Sequence, residues 1–187
     1  MKNYLLGLDG GGTKTLALLA DEHGNILARG LGGPSNYNVV GFDAACAAIE
    51  TAIAQALSFA SPSAENIRFS APPSVDSIHA SAPSSASPLP PSAPSSVASL
   101  CLGLAGAGRS EDRVRFHAWA TQRFPGAKII VVSDAEILLA AGAPTGPALA
   151  LICGTGSVVY GRTQNGELLR AGGWGYLFGD EGSGFAL

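Results

Sequence analysis

An aspartate followed by three glycines lies near the start of the chain, within the sequence LLGLDGGGTKT of residues 5–15. Glycine lets a backbone approach an anion closely, and successive backbone N–H groups form an anion-binding concavity. Asp9, at the end of an apolar strand, can hold a hydrated Mg²⁺, the ion that phosphate chemistry requires. The segment therefore predicts a nucleotide phosphate site, with Asp9 binding magnesium through water.

Two other glycine motifs are excluded by the residues around these glycines. A P-loop requires Gly-Lys-Ser/Thr, whereas Thr13 separates Gly12 from Lys14 and no helix follows. The dinucleotide fingerprint also expects a helix directly after its glycines. Here residues 15–20 (TLALLA) are typical of a strand, and residues 21–25 are typical of a turn. A glycine-rich hairpin without a ligand is the alternative on this segment alone.

Composition narrows the class of protein. The chain has 187 residues, of which 47% are hydrophobic and 13% charged, and its net charge is −3. The lack of a basic stripe argues against nucleic-acid binding, and no apolar run reaches the roughly 18 residues of a membrane span. Asp9 interrupts the N-terminal apolar run too early for a signal peptide. Cys46, Cys101 and Cys153 are widely spaced among apolar residues, which predicts buried, reduced thiols and a cytoplasmic location.

Strands and helices alternate around these motifs. Three strands at about residues 4–9, 14–20 and 26–31 are predicted to form an antiparallel meander. Residues 42–59 place apolar side chains on one face at helical spacing, which predicts an amphipathic helix. The residues of that face are Ala45, Ile49, Ala52, Ile53, Ala56 and Leu57.

The later part of the chain continues the pattern. A buried strand over residues 97–104 precedes a helix that runs from Ser110, the expected N-cap, to about Phe124. Residues 128–132 form the next predicted strand, and Asp134 follows its carboxyl end, ahead of a short helix over 135–141. A second meander is predicted around the glycines of residues 154–156. Its strands are expected at residues 148–153, 157–162 and 167–171.

Residues 60–97 interrupt this pattern with serine, proline and alanine, and they hold eight of the twelve prolines. Such a composition cannot fill a hydrophobic core, so it predicts a disordered loop. The strands on both sides of this insert are needed for one sheet, so it is not expected to be a domain boundary.

Five motifs, in the same order, resemble those of the N-acetylglucosamine kinases, which belong to the BadF/BadG/BcrA/BcrD-type ATPase group of the actin-like ATPase and sugar-kinase superfamily. The motifs span residues 9–15, 133–135, 154–157, 172–175 and 179–183. The resemblance implies an α/β, RNase H-like actin-type ATPase fold, with a mixed five-stranded sheet, flanking helices and the beginning of a second, similar lobe. It places an N-terminal lobe at residues 1–145 and the second lobe at residues 146–187.

The same resemblance implies ATP-dependent phosphorylation of an amino sugar, N-acetyl-D-glucosamine first, at its 6-hydroxyl, with ATP and Mg²⁺ as cofactors. Asp134 is the implied general base that takes the proton from that hydroxyl. The implied ATP phosphate ligands are Gly10, Gly11, Gly12, Thr13, Lys14, Gly154, Thr155 and Gly156. The implied sugar-binding residues are Asn36, Thr155, Gly156, Gly173, Trp174 and Asp180.

Several of these roles have a plain structural alternative. Asp134 would otherwise be a helix N-cap before Ala135, and Asn36 a loop residue that bonds its own backbone. A tryptophan between glycines, such as Trp174, more often serves packing. Glu181 can equally be an acid at the start of a helix, so its role is open.

Two other functions stay open beside the sugar kinase. An ATPase activator of a CoA-ester reductase or dehydratase would need exposed cysteine ligands for an iron–sulfur cluster, and a non-catalytic sugar sensor could use the same fold. The family's second lobe should continue beyond Leu187, so the chain is expected to be a fragment. Such a fragment is expected to be a poor kinase alone, because catalysis requires ATP and sugar to be aligned between two lobes. A homodimer of the full-length protein is also left open.

Overall fold

The computed structural model describes residues 3–58, 97–154, 156–175 and 177–184. The chain divides into two compact units, Met1–Val132 and Ser133–Leu187. The predicted disordered loop over residues 60–97 lies, apart from its last residue, outside the described residues. The division into lobes at residue 145 stays a prediction.

A mixed five-stranded sheet forms the first unit. Its strands are β1 (Tyr4–Gly10), β2 (Thr15–Ala20), β3 (Ile26–Gly32), β4 (Val97–Leu104) and β5 (Lys128–Val132). Their order is β3-β2-β1-β4-β5, with β1 antiparallel to β2 and parallel to β4, and β4 parallel to β5. The predicted N-terminal meander is therefore confirmed. Because β1 and β4 are parallel, Gly10 and Leu104 lie side by side where both strands end.

Three helices complete the first unit. They are α1 (Tyr37–Val40), α2 (Phe42–Ser58) and α3 (Ser110–Arg123). The apolar face predicted for α2 is confirmed, since five of its six residues are buried and Leu57 packs half-buried against the same core. No helix among the described ranges is long and apolar enough to cross a membrane.

Two helix starts differ from the predictions. The N-cap of α3 is Arg109, whose backbone is extended (φ −94°, ψ 149°) and whose side chain makes no capping hydrogen bond. Ser110 is already helical, so its prediction as the N-cap was wrong. The short helix α1 was not predicted, although its N-cap is Asn36, a residue type that favours this position.

Helix α2 lies unusually close to β3, and two glycines make this approach possible. A Cβ at Gly30 would stand 2.6 Å from the backbone nitrogen of Ala56 and closer still to the carbonyl oxygen of Ala52. A Cβ at Gly32 would collide in the same way with the carbonyl oxygen of Ala48. Since these obstacles are backbone atoms of a packed helix, they cannot move aside cheaply.

Gly30→Ala should therefore destabilise the first unit by about 1–3 kcal/mol, the usual cost of overpacking a core. The expected readout is a fall in Tm of roughly 2–8 °C for each kcal/mol, measured by thermal circular dichroism. Gly7→Ala in β1 is the matched control, because a Cβ at Gly7 meets no atom within 4 Å. Equal Tm values for the two variants would contradict the close approach of α2.

The second unit contains helix α4 and an antiparallel meander. Its elements are α4 (Asp134–Gly142), β6 (Ala148–Cys153), β7 (Ser157–Arg162) and β8 (Leu168–Gly172). Helix α4 packs on β6 and β7 and buries Leu139, and Ala150 of β6 is also buried. Side chains alternate along a strand, and Leu149 and Leu151, on the opposite face, are 82% and 64% exposed. The second predicted meander is confirmed.

Candidate functional site

The first glycine turn joins β1 to β2. Gly10 pairs with Thr15 across the two strands, and the Gly11 N–H donates to the Lys14 carbonyl at 2.9 Å. The φ angles of Gly10, Gly11 and Gly12 lie outside the left-handed region. Any requirement for glycine here therefore comes from the room available for a side chain and not from the backbone conformation. A Cβ at Gly10 would stand 2.5 Å from Leu104 Cδ2, whereas one at Gly12 meets no atom within 4 Å. Gly10 thus serves packing, and Gly12 leaves the turn open to a ligand.

Hydrogen bonds fix this turn to the segments beside it. The Gly10 carbonyl accepts the Ala105 N–H at 2.7 Å, and the Gly11 carbonyl accepts the N–H groups of Ser35 and Asn36 at 3.0 and 3.1 Å. The buried Thr15 hydroxyl donates to the Gly33 carbonyl at 2.7 Å and lies 2.8 Å from the buried Ser35 hydroxyl. Backbone N–H groups of the neighbouring segments therefore hold the carbonyls of the turn in one conformation.

Asn36 lies directly beside the first glycine turn. Its side-chain oxygen accepts the Asn38 N–H at 3.2 Å and caps α1, so the alternative of a residue that bonds its own backbone is present in the structure. Gly106, at φ 93°, faces both amides: a Cβ there would stand 2.9 Å from Asn36 Oδ1 and 2.7 Å from Asn38 Nδ2. Sequence reasoning missed Asn38 and Gly106, although the glycine-rich end of β4 was a signal for the second.

Tyr37 connects this corner to helix α3. Its hydroxyl donates to Asp112 Oδ1, and this hydrogen bond, with burial second, raises the pKa of Tyr37. The Tyr37 ring packs edge-on against Phe116, with the ring centroids 5.8 Å apart. The other carboxylate oxygen of Asp112 is buried and has no hydrogen-bond partner among the described residues. The chain around Asn36 is thus tied to α3 as well as to the glycine turn.

Asp134 is the first residue of α4, in the second unit. The N-cap is Ser133, which exchanges hydrogen bonds with Glu136 as a capping box. This excludes the alternative of Asp134 as the N-cap, and the Ser-x-x-Glu spacing was the signal for it. Asp134 is half-buried, and its Oδ1 accepts the Ala135 N–H at 2.9 Å.

The second glycine turn joins β6 to β7. Cys153 pairs with Ser157, and the Gly154 N–H donates to the Gly156 carbonyl at 2.9 Å. Thr155, predicted to bind phosphate and sugar, lies outside the described residues. As at the first turn, a hairpin of two antiparallel strands carries the glycines.

Residues 180–184 fold over the second turn. Asp180 Oδ1 accepts the Ser157 N–H at 3.1 Å, and the Ser157 hydroxyl donates to the Glu181 carbonyl at 2.9 Å. A Cβ at Gly156 would stand 3.1 Å from both carboxylate oxygens of Asp180. Asp180, predicted to contact sugar, therefore touches the glycine turn directly. It and Gly156 belong to one local structure.

Trp174 lies in a turn of glycines. Gly173, before it, has φ 71°, and Gly175, after it, has φ 86°. The Trp174 N–H donates to the Gly179 carbonyl at 3.4 Å, and the side chain is 68% exposed. This exposure argues against the alternative of a packing tryptophan and leaves the indole face accessible.

The sequence profile of the BadF/BadG/BcrA/BcrD ATPase family matches residues 6–187, almost the whole chain. The chain belongs to the BadF/BadG/BcrA/BcrD ATPase family. The resemblance inferred from the five motifs is therefore confirmed, and membership of an ATPase family implies the use of ATP.

Two curated relatives of this BadF/BadG/BcrA/BcrD chain are sugar kinases by name. It is 32% identical over 184 residues to the N-acetylmuramic acid/N-acetylglucosamine kinase of Clostridium acetobutylicum, a match that covers 98% of the chain and 50% of that protein. It is 30% identical over 188 residues to the N-acetyl-D-glucosamine kinase of Dictyostelium discoideum, covering 100% of the chain and 52% of that protein. The chain thus spans about half the length of the curated relatives it matches.

Solved structures share the fold of this family member. A Chromobacterium violaceum protein named as an N-acetylglucosamine kinase matches with a TM-score of 0.59 at 27% identity, over 97% of this chain and 52% of that one. A Porphyromonas gingivalis protein of the same name matches with a TM-score of 0.60 over 97% and 51%. At 19% identity, the second likeness shows the fold alone. The predicted actin-like ATPase fold is confirmed.

The cysteines of this BadF/BadG/BcrA/BcrD chain do not share one environment. All three cysteines were predicted to be buried. Cys46 is buried and Cys101 is half-buried, but Cys153 is exposed, so the prediction for Cys153 was wrong. It ends β6 beside the second glycine turn, where its Sγ donates to the Gly182 carbonyl at 3.2 Å. Among the described residues, no group of three His, Cys, Asp or Glu side chains could hold a metal ion.

Thiol labelling should separate Cys153 from Cys46. The thiolate is the reactive form, and burial, followed by the nearby Glu50 charge, raises the pKa of Cys46 to about 12. At pH 8 we therefore expect Cys153 to react quickly with a chromogenic disulfide reagent and Cys46 only after unfolding. Cys153→Ser should remove the fast phase, and a fast phase that survives this substitution would contradict the assignment.

Proposed function

We propose that this chain carries catalytic machinery of an amino sugar kinase, which transfers the γ-phosphoryl group of ATP to the 6-hydroxyl of N-acetyl-D-glucosamine. The observation that carries the proposal is the match along 98% and 100% of the chain to two relatives named as kinases of this sugar. The open turn at Gly12 supports it, because a phosphate can approach the backbone there.

The two glycine turns would bind phosphate. The first would use the backbone of Gly10, Gly11 and Gly12 with Thr13 and Lys14, and the second Gly154, Thr155 and Gly156. Phosphoryl transfer depends mainly on positioning and charge stabilisation, and both turns are held by hydrogen bonds from behind. Rigid turns of this kind keep a phosphate in place without reorganisation during the reaction.

Asp9 suits a hydrated magnesium ion. It is exposed at the end of β1, next to the first turn. Mg²⁺ in phosphate-transfer sites is usually held by one or two carboxylates together with water and substrate phosphates, so the single carboxylate of Asp9 fits. The bound ion would neutralise charge on the ATP phosphates, and the Asp9 carboxylate would hold the ion next to the glycine turn.

Asp134 would act as the general base. Its carboxylate would orient the sugar 6-hydroxyl and accept its proton as the oxygen forms a bond to the γ-phosphorus and ADP leaves. Asn36, Gly173, Trp174 and Asp180, with Thr155 and Gly156, would bind the sugar. The exposed indole of Trp174 offers a flat apolar face to a pyranose ring.

The test is direct. The protein as the cell makes it is incubated with ATP, Mg²⁺ and N-acetyl-D-glucosamine, and sugar phosphate is measured by mass spectrometry and its position by NMR. N-acetylmuramic acid, glucosamine and glucose are compared in parallel. We expect a 6-phosphate that requires both ATP and an amino sugar. ATP hydrolysis without any sugar phosphate would overturn the proposal.

The exposure of Cys153 keeps the ATPase activator as a second candidate. An iron–sulfur cluster held between two subunits needs accessible cysteines, and Cys153 is exposed. Measuring the iron content of anaerobically purified protein separates the two functions, because an activator would contain an iron–sulfur cluster and a kinase needs no iron. We also propose that the protein is cytoplasmic and that its full-length form is a homodimer. Both proposals are compatible with a kinase and with an ATPase activator. A sugar sensor would bind the sugar but leave ATP intact.

A further inference from the structure

Arg170 on β8 contacts the turn that carries Trp174 in two ways. Its Nε donates to the Gly172 carbonyl at 3.2 Å, and its Nη2 donates to the Gly173 carbonyl. One guanidinium thus bridges two successive carbonyls. The planar fork of arginine suits such a paired contact, whereas the point charge of lysine does not.

The same guanidinium lies against two aromatic rings. Its carbon is 5.2 Å from the centroid of the Trp174 ring and 5.9 Å from that of Tyr160. Tyr160 is the cross-strand neighbour of Arg170, which places both side chains at one register position of the sheet. Distances within about 6 Å are those of cation–π attraction.

The glycines of the turn explain why Arg170 is needed there. Gly172 and Gly173 both have φ in the left-handed region, at 74° and 71°. A Cβ at Gly173 would stand 2.9 Å from Arg170 Nη2, so the guanidinium occupies the place of the missing side chain. Because Trp174 is 68% exposed, burial in the core does not fix its ring.

We propose that Arg170 is a positioning residue that holds the Trp174 indole in the orientation in which it receives the amino sugar. The link to the sugar rests on the function proposed above, whereas the effect on the indole does not. Loss of the guanidinium would free the glycine turn and the ring together, and sugar affinity would fall without a change in ATP affinity.

Tryptophan fluorescence tests the effect on the indole without any activity. The chain has two tryptophans, so Trp119→Phe leaves Trp174 as the single fluorophore. In this background, Arg170→Ala and Arg170→Lys should both lower the anisotropy of Trp174 and increase its quenching by acrylamide. Failure of Arg170→Lys to reproduce Arg170→Ala would point to charge alone and overturn the bridging role.

Arg162→Lys is the matched control, because Arg162 also bridges two backbone carbonyls of the second unit, those of Ala143 and Gly146. It should leave Trp174 fluorescence unchanged. An equal change with Arg162→Lys would show a general loss of stability and overturn the proposal, as would unchanged fluorescence in Arg170→Ala.

Kinetics of the same variants test the link to the sugar. Arg170→Ala should raise the sugar KM roughly 2- to 30-fold, the range expected from losing a cation–π contact, and Arg170→Lys should raise it as well because lysine cannot bridge the two carbonyls; the KM for ATP should not change in either variant. A rise in the KM for ATP, or a fall in kcat alone, would overturn the assignment. If the parent protein binds no amino sugar, the proposed function and the sugar link fail together, and fluorescence still decides the positioning of Trp174.

Discussion

Asp134→Asn should lower the rate of sugar phosphorylation by roughly 10²- to 10⁴-fold, the usual contribution of a general base. The asparagine keeps the shape of the side chain and can still accept the Ala135 N–H. The capping box of Ser133 and Glu136 is untouched, so α4 should form as before. Initial rates of sugar phosphate formation at saturating ATP and sugar give the ratio, and calorimetry should show an unchanged sugar affinity.

Asp43→Asn is the matched control for this substitution. Asp43 is also an acid in the first turn of a helix, α2, and it is exposed. Both variants therefore lose the same favourable interaction between a carboxylate and a helix N-terminus. Asp43→Asn should retain the parent rate, and a near-parent rate for Asp134→Asn would show that Asp134 is not the base.

Gly12→Ala should weaken ATP binding at least about tenfold, equivalent to about 1.4 kcal/mol, while the protein stays folded. The added methyl group meets no protein atom within 4 Å, and the φ angle of Gly12 lies outside the left-handed region. Its stability should therefore stay within about 0.5 kcal/mol of the parent protein. The methyl group would, however, occupy the space through which a phosphate reaches the turn. Calorimetry with a non-hydrolysable ATP analogue measures the loss.

Gly10→Ala gives the contrasting result at the same turn. Its methyl group would collide with Leu104 and Ser35, so both thermal stability and ATP affinity should fall. Gly7→Ala, which has space around its Cβ but lies within β1, should change neither. Parent-like ATP binding by Gly12→Ala would show that phosphates do not approach this turn.

The elements of the fold were largely predictable because their signals are local. Strands β4 and β5 appear with the predicted bounds, and the buried face of α2 follows helical spacing. The start of α3 was mispredicted because Ser110 has a high capping propensity, yet the chain becomes helical one residue earlier. The exposure of Cys153 was missed because apolar neighbours in sequence do not reveal whether anything covers that face of β6.

The candidate site was predictable only in part. Glycines and Asp134 carry motifs, so their positions could be marked from the sequence. The contacts of Arg170 with Trp174, and of Tyr37 with Asp112, join residues whose spacing carries no pattern. Such pairs are set by how the backbone folds. Sequence reasoning therefore finds the groups that would touch the ligand more readily than those that hold them.

The hydrogen bonds behind the first glycine turn have a consequence for its response to pH. The carbonyls of Gly10, Gly11 and Lys14 all accept protein N–H groups, so their partial negative charges are turned away from an incoming anion. Besides the Lys14 side chain and the magnesium ion proposed for this site, the attraction that remains comes from main-chain dipoles, which carry no proton to lose. Near neutrality, an anion bound there should keep its affinity as long as its own charge is constant, unlike one bound by histidine.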